Sequence, residues 1–196
     1  NKGNHITYVL TENNIYTWNE STNEIKLACP KLTFKEFENM GGGAANNIEV
    51  YKDSLALITI PQLGILEVDL KNQTKRAITI NDGLSSQVLY DNYLDNKGQL
   101  WMSSDYGIIR YNILTKQFRT LTPYDGAQGY EFNSFCNFST PDGDMIYAGQ
   151  NGVNYFNISE VIDNALAPDV IIQKITKKNT VIPIESDNYQ ETIVVD

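Results

Sequence analysis

The chain has 196 residues, with 15 Lys and Arg against 24 Asp and Glu, giving a formal charge of −9 at pH 7. This balance excludes a surface built to track nucleic-acid phosphates, which needs clustered cations; the densest basic grouping is Lys174, Lys177 and Lys178. Hydrophobic residues at 41% and charged residues at 20% make a globular mix, and no apolar run nears the ~20 residues of a membrane-spanning helix. The opening residues, Asn1 to His5, show neither an initiator Met nor a signal-peptide pattern, so the chain reads as a piece of something longer. Cys29 and Cys136 form no CxxC and have no companion His, so two separate thiols are expected.

Along the chain a repeat organises everything else. Asn14-Ile-Tyr-Thr-Trp-Asn19, Gly64-Ile-Leu-Glu-Val-Asp69, Gly107-Ile-Ile-Arg-Tyr-Asn112 and Gly152-Val-Asn-Tyr-Phe-Asn157 align, with anchors 50, 43 and 45 residues apart. The first position is Gly or Asn, which tolerate positive φ in a tight hairpin. The second is β-branched, and the sixth is Asn or Asp, able to close the next turn with its own side chain.

The first copy opens on a strand at 6–11. The third copy reads as four strands, 87–94, 99–104, 108–112 and 117–121, separated by turns at 95–98, 105–107 and 113–116. The fourth has strands at 132–138, 144–148 and 153–156 and no fourth strand. Four-stranded antiparallel units repeating every ~40 to 50 residues predict β-propeller blades, which bury their faces by stacking on one another. The fold class is therefore all-β, with blades spanning approximately 1–37, 38–80, 81–123 and 124–167. The first copy starts at what should be its second strand, so an arc is expected and not a closed ring. A short helical connector is expected over 158–167, Pro168 marks a boundary, and 168–196 read as the opening strands of a β-sandwich, at 170–176, 181–184 and 191–195.

At Asn81-Asp-Gly-Leu-Ser85, followed by Asp95-Asn-Lys-Gly-Gln-Leu-Trp-Met-Ser-Ser-Asp-Tyr-Gly-Ile-Ile-Arg-Tyr-Asn112, the chain resembles the two-component regulator propeller repeat, with Ser104 replacing the usual Thr. The stretches Asp125 to Asn133 and Gly149 to Phe156 are similar to the last blade of such sensors, and Pro168 onward to the start of the three-tyrosine domain that follows it. The resemblance implies the periplasmic part of a hybrid two-component sensor histidine kinase of the Bacteroidetes type. It also implies an oligosaccharide ligand, the remaining blades and the sandwich of the same receptor as partners, and a homodimer in the full receptor.

Chemistry within the chain is sparse. His5 is the only histidine, which excludes Ser-His-Asp, Cys-His and multi-His metal sites, and neither a metal nor a cofactor is expected. Glu36 with Glu38, Asp91 with Asp95, and Asp142 with Asp144 are the carboxylate pairs that could act in glycoside cleavage, but all lie in or beside predicted turns. Asp142-Gly-Asp144 lacks the alternating ligands and closing Glu of a calcium loop, and Gly41-Gly-Gly43 has no strand-to-helix context for holding phosphate.

Topology locates a binding face instead. In a meander, the turn between strands two and three lies at the same end as the link into the next blade. That end collects 61–63, 81–86, 105–106, 124–131 and 150–151, with the long loop 29–46. From it, Asp105, Tyr106, Tyr124, Tyr130, Glu131 and Gln150 are the candidate ligand-binding residues, suited to stacking on sugar rings and bonding hydroxyls. The competing reading is that this face packs on another propeller or on the sandwich. Trp101 and Trp18 are assigned to packing between blades. The function expected is a non-catalytic sensor module; a propeller-fold glycan-degrading enzyme and a purely structural dimerisation scaffold are the alternatives.

Overall fold

The computed structural model describes residues 6–12, 14–30, 45, 47–140, 142–163, 175–177 and 180–182. The chain divides into two compact units, Asn1–Val161 and Ile162–Asp196. In the first, β1 (Ile6–Leu10), β2 (Ile15–Asn19) and β3 (Glu24–Cys29) form one antiparallel sheet. Strands β4 (Asn47–Tyr51), β5 (Leu55–Ile60), β6 (Gly64–Asp69) and β7 (Thr74–Ile78) form the second. The third contains β8 (Leu89–Leu94), β9 (Gln99–Ser104), β10 (Gly107–Asn112) and β11 (Gln117–Leu121), and the fourth β12 (Phe132–Ser139), β13 (Asp144–Gly149) and β14 (Gly152–Asn157). Each sheet is a meander in chain order, as propeller blades require.

The turn chemistry read from the repeat closes each meander. At the sixth repeat position, Asn19, Asp69 and Asn112 each accept two backbone N–H groups of the following turn, at 2.9–3.1 Å. Asn157 takes the Ser159 N–H at 3.0 Å in the same way. The anchor glycines stand at φ +121° (Gly64), +101° (Gly107) and +135° (Gly152). A Cβ on Gly64 would meet the Ile78 carbonyl, and one on Gly107 the Leu121 carbonyl. Glycine is needed there both for its conformation and because the fourth strand ends over it.

Neighbouring blades share three apolar layers. Ile15 and Cys29 of the first blade pack with Ala56, Ile58, Leu66 and Val68 of the second. Leu57 and Ile65 pack with Leu100, Met102, Ile109 and Tyr111 of the third. Trp101 and Ile108 pack with Phe132, Met145 and Tyr147 of the fourth. Strand alternation explains this division, since odd and even positions of each middle strand face opposite neighbours. β1 meets β4 as β5 meets β8 and β9 meets β12, so β1 occupies the second position of its blade, where the repeat placed it.

The two tryptophans differ. Trp101 is buried between blades, with Phe156 5.8 Å away and the Arg110 guanidinium over its ring. Trp18 lies on the face of the first sheet turned away from the second and is 37% exposed, its indole N–H donating to Asn23 within its own hairpin at 3.1 Å. Its register matches Val68, which is buried only because another blade covers it. Both cysteines are unbridged, Cys29 buried and Cys136 partly exposed.

The expected helical connector is a single 3-10 turn, Ile158–Glu160, capped by the Asn157 side chain, and the remainder of it (164–167) lies outside the described residues. The second unit contains an antiparallel hairpin of β15 (Ile175–Lys177) and β16 (Thr180–Ile182). The expected strands at 170–174, 183–184 and 191–195 lie outside the described residues. No helix among the described residues is long and apolar enough to cross a membrane.

Candidate binding face

The links between blades are built by a motif repeated 43 residues apart. Thr79-Ile-Asn-Asp-Gly83 and Thr122-Pro-Tyr-Asp-Gly126 each form one 3-10 turn. The Thr hydroxyl accepts the N–H two residues on, the Asp carboxylate returns to the Thr N–H at 2.9–3.0 Å, and the Gly ends the turn at φ near +100°. The sequence carries this signal at both links, the Asp-Gly half of each cap lying within the stretches Asn81–Ser85 and Asp125–Asn133 and the capping Thr just before them. Arg76 and Arg119 of the preceding strands meet Asp82 and Asp125 at 2.7 and 3.7 Å, which helps hold the Asp82 carboxyl below its usual range after the Thr79 N–H.

From each cap the link descends to the next blade and is pinned there by hairpins. The Gln62 N–H donates to the Gln87 carbonyl at 3.0 Å, and the Gly107 N–H to the Tyr130 carbonyl at 2.7 Å. The Gln150 N–H donates to the Glu131 carbonyl at 3.4 Å. These bonds place the strand two to three turns and the inter-blade links at one end of the sheets, as the topology predicts.

Five of the six candidate residues come together there. The Tyr106 and Tyr130 rings stand 5.2 Å apart at 31°, 50% and 39% exposed. Asp105 accepts a hydrogen bond from the Ser86 hydroxyl, and Glu131 from the Tyr90 hydroxyl. Burial, then Glu131 itself, drives the Tyr90 hydroxyl well above the ordinary tyrosine range, so it stays a donor. Gln150 joins through its backbone. Tyr124 sits on the 3-10 turn and is 94% exposed, with no ring contact to the pair.

The residue that most directly shapes this end, Gln128, was not singled out. Its Nε2 donates to the Glu131 carbonyl at 3.0 Å, its Oε1 accepts the Asn151 N–H at 2.7 Å, and its own N–H donates to Asn154 Oδ1 at 2.7 Å. One side chain thus ties the incoming link to the hairpin beneath the tyrosines. No sequence pattern marks it, because its partners are 3 to 26 positions away and meet only in the folded blade.

Among the described residues the carboxylate pairs Asp91 with Asp95 and Asp142 with Asp144 do not converge on a reacting centre. Asp95 closes its own turn and accepts from the Trp101 indole, whereas Asp91 faces the fourth blade and accepts the Cys136 N–H at 3.2 Å. Asp144 accepts from Asn157 at 3.0 Å, as does the Asp142 carbonyl at 3.1 Å, which is turn closure. Glu36, Glu38, Gly41–Gly43 and loop residues 31–44 lie outside the described residues. Among the described residues no three His, Cys, Asp or Glu side chains are arranged to hold a metal ion.

The geometry defines a class: antiparallel blades of propeller type presenting an aromatic pair at their linked end. No protein-family model matches the chain. It is 26% identical over 118 residues to Histidine kinase P4 of Formosa agariphila, a match covering 60% of the chain and 9% of that protein. Among solved structures it is similar to the extracellular domain of a protein described as a hybrid two-component system, BT4673 of B. thetaiotaomicron (TM-score 0.56, 17% identity, 80% of this chain and 23% of that one). The corresponding domain of BT3049 gives a TM-score of 0.53 at 15% identity, over 85% of this chain and 22% of that one. The chain therefore spans less than a quarter of the length of the solved relatives and less than a tenth of the curated one. The fold read from the repeat and the fold of these ectodomains agree.

Proposed function

We propose that the chain is part of the periplasmic sensor region of a hybrid two-component system, a non-catalytic module that responds to an oligosaccharide and passes the signal to a histidine kinase elsewhere in the polypeptide. The observation that carries this reading is the half-exposed Tyr106–Tyr130 pair, whose chain neighbours are held in place, Asp105 by the Ser86 hydroxyl and Glu131 by the Tyr90 hydroxyl and the Gln128 amide, while the Gly107 N–H holds the Tyr130 carbonyl. A rigid aromatic platform beside carboxylates and amides suits stacking on a sugar ring with hydrogen bonds to its hydroxyls. The likeness to sensor ectodomains supports the signalling context, and the absence of a convergent acid–base pair among the described residues favours binding over turnover. The partners in this reading are the other blades and the β-sandwich of the same receptor, with a second receptor copy as a homodimer. Fold alone carries no function, so the test is on the site. Titration of the intact ectodomain with an oligosaccharide panel should give saturable heat without product formation. Tyr106→Ala and Tyr130→Ala should each weaken binding about tenfold. Turnover of any glycan, or unchanged affinity in both variants, overturns the assignment.

A further inference from the structure

We infer that the Tyr106–Tyr130 face selects its ligand by charge: it takes neutral and amino-substituted oligosaccharides, and Asp105 and Glu131 turn away uronic and sulfated ones. The inference rests on the sugar-binding reading of this face and adds the charge class of the ligand. Charge is segregated along the blades. Lys52, Lys71, Lys97 and Lys116 each stand in a turn between strands one and two or three and four, at the opposite end. The described segments gathered at the linked end, 61–63, 81–86, 105–106, 124–131 and 150–151, contain no Lys or Arg and hold Asp82, Asp105, Asp125 and Glu131. Arg76 and Arg119 reach Asp82 and Asp125 from the preceding strands. Asp105 and Glu131 accept instead from the hydroxyls of Ser86 and Tyr90, which supply no positive charge.

These two carboxylates frame the ring pair. Asp105 precedes Tyr106 and Glu131 follows Tyr130, and both are half-buried. The Tyr90 hydroxyl senses the charge of Asp105 as well as that of Glu131, so the two approach one point from the third blade and from the link into the fourth. A carboxylate offers acceptor sites alone, and a ligand beside it must bring donors. Sugar hydroxyls donate, as does a sugar ammonium, which also gains from the tyrosine faces. A uronate or sulfate group brings only further acceptors and like charge, which partial burial leaves poorly screened.

The charge selection can be measured without the natural ligand. Two nitroxide probes that differ only in carrying an ammonium or a carboxylate are added in turn to the intact ectodomain, and the relaxation of the Tyr106 and Tyr130 ring protons is read by NMR. At low salt the cationic probe should relax them at least about threefold more strongly, with the ratio falling toward one as ionic strength rises. Leu114, exposed in the turn that carries Lys116, should show a clearly smaller ratio. Asp105→Asn with Glu131→Gln keeps an acceptor for each hydroxyl and should bring the tyrosine ratio down to that of Leu114. Matched β-1,4-linked tetrasaccharides of glucose, glucosamine and glucuronate are then titrated, and the glucuronate one should bind at least about tenfold more weakly than the glucose one. Equal relaxation by the two probes in the wild-type ectodomain overturns the inference. So does any uronic or sulfated oligosaccharide that binds more tightly than its neutral counterpart and loses that affinity in Tyr106→Ala. The probe ratio contains no sugar, so its failure and the failure of the oligosaccharide panel are separate results.

Discussion

Asp95 holds three donors at once. Its Oδ1 accepts the N–H groups of Lys97 and Gln99 at 2.9 and 2.8 Å, and its Oδ2 accepts the indole N–H of buried Trp101 at 3.3 Å. This is the physical content of the Asp-x-x-Gly-x-Leu-Trp string: the carboxylate shapes the turn that aims the tryptophan between blades. Asp95→Ala should cost about 2–4 kcal/mol, read as a lower urea midpoint, because it strands a buried indole donor as well as opening the turn. Asp95→Asn, which keeps the turn acceptor, should recover roughly half of that loss. Glu49 is the opposite case, with nothing in the sequence to mark it. It sits on the innermost strand facing the third blade, and burial pushes its carboxyl up to about 7, against the lowering effect of the Leu94 N–H. Tyr93 and Tyr147 sense its charge from the neighbouring blades, together with Asp95 and Asp91. The folded-state value lies above the unfolded one, so the folded chain holds the proton more tightly. The contribution of Glu49 to stability should be greatest below about pH 4.5, fall between about 4.5 and 7, and level off above, by on the order of 3 kcal/mol. A melting-temperature profile of Glu49→Gln should lack that decline, and an unchanged profile would remove the buried-carboxyl account.

At the scale of the hairpin and the strand, legibility follows range. The bounds of β9 and β11 read from the sequence coincide with those in the structure, and β10 starts one residue earlier, because turn formers within a few positions decide them. β8 begins at Leu89, not at 87, because Gln87 and Val88 give their carbonyls to hairpins, and a bulge separates Leu89 from Asn92. Those contacts were invisible to local pattern. The same limit applies to the candidate face: its loops could be grouped by meander topology, but Ser86, Tyr90 and Gln128 owe their roles to partners in other turns, links and strands that meet only in the folded blades. The glycine anchors allow a quantitative check. Gly107→Ala combines positive φ with a collision against the Leu121 carbonyl, and should cost about 2–4 kcal/mol while selectively speeding hydrogen exchange in β11. Gly152→Ala meets only the conformational term in the chain alone and should cost no more than about 1–2 kcal/mol. Equal costs for the two would show that the fourth-strand carbonyl is not what fixes the glycine.

For the blades taken together, the equivalent rows of side chains decide what the ends of the arc want. Registers place Leu57 with Glu49 and Glu67, Trp101 with Tyr93 and Arg110, and Ile146 with Phe138 and Tyr155. The central residues of the first two rows, Leu57 and Trp101, are 0% and 1% exposed under the next blade, whereas in the third the central Ile146 is only partly buried and the flanking Phe138 and Tyr155 are 61% and 68% exposed. At the other end, Val9 and Trp18 hold the positions of Ile58 and Val68, yet are 40% and 37% exposed, with Ile25 and Leu27 beside them at 66% and 52%. One end thus presents the trailing side of an inter-blade interface and the other the leading side. Such complementary but non-identical faces make head-to-tail contacts, which grow beyond a dimer unless the rotation closes into a ring. The 196-residue chain alone should therefore associate as its concentration rises, in sedimentation velocity, into species larger than two copies. Phe138→Ser with Tyr155→Ser should shift that association about tenfold upward in concentration, and Ile25→Ser with Leu27→Ser should do the same from the other end. Tyr106→Ala, on the linked end of the blades, should leave it unchanged. A chain that remains monomeric throughout, with a cooperative melt, would mean that these faces are closed within the polypeptide itself and that the arc is not open.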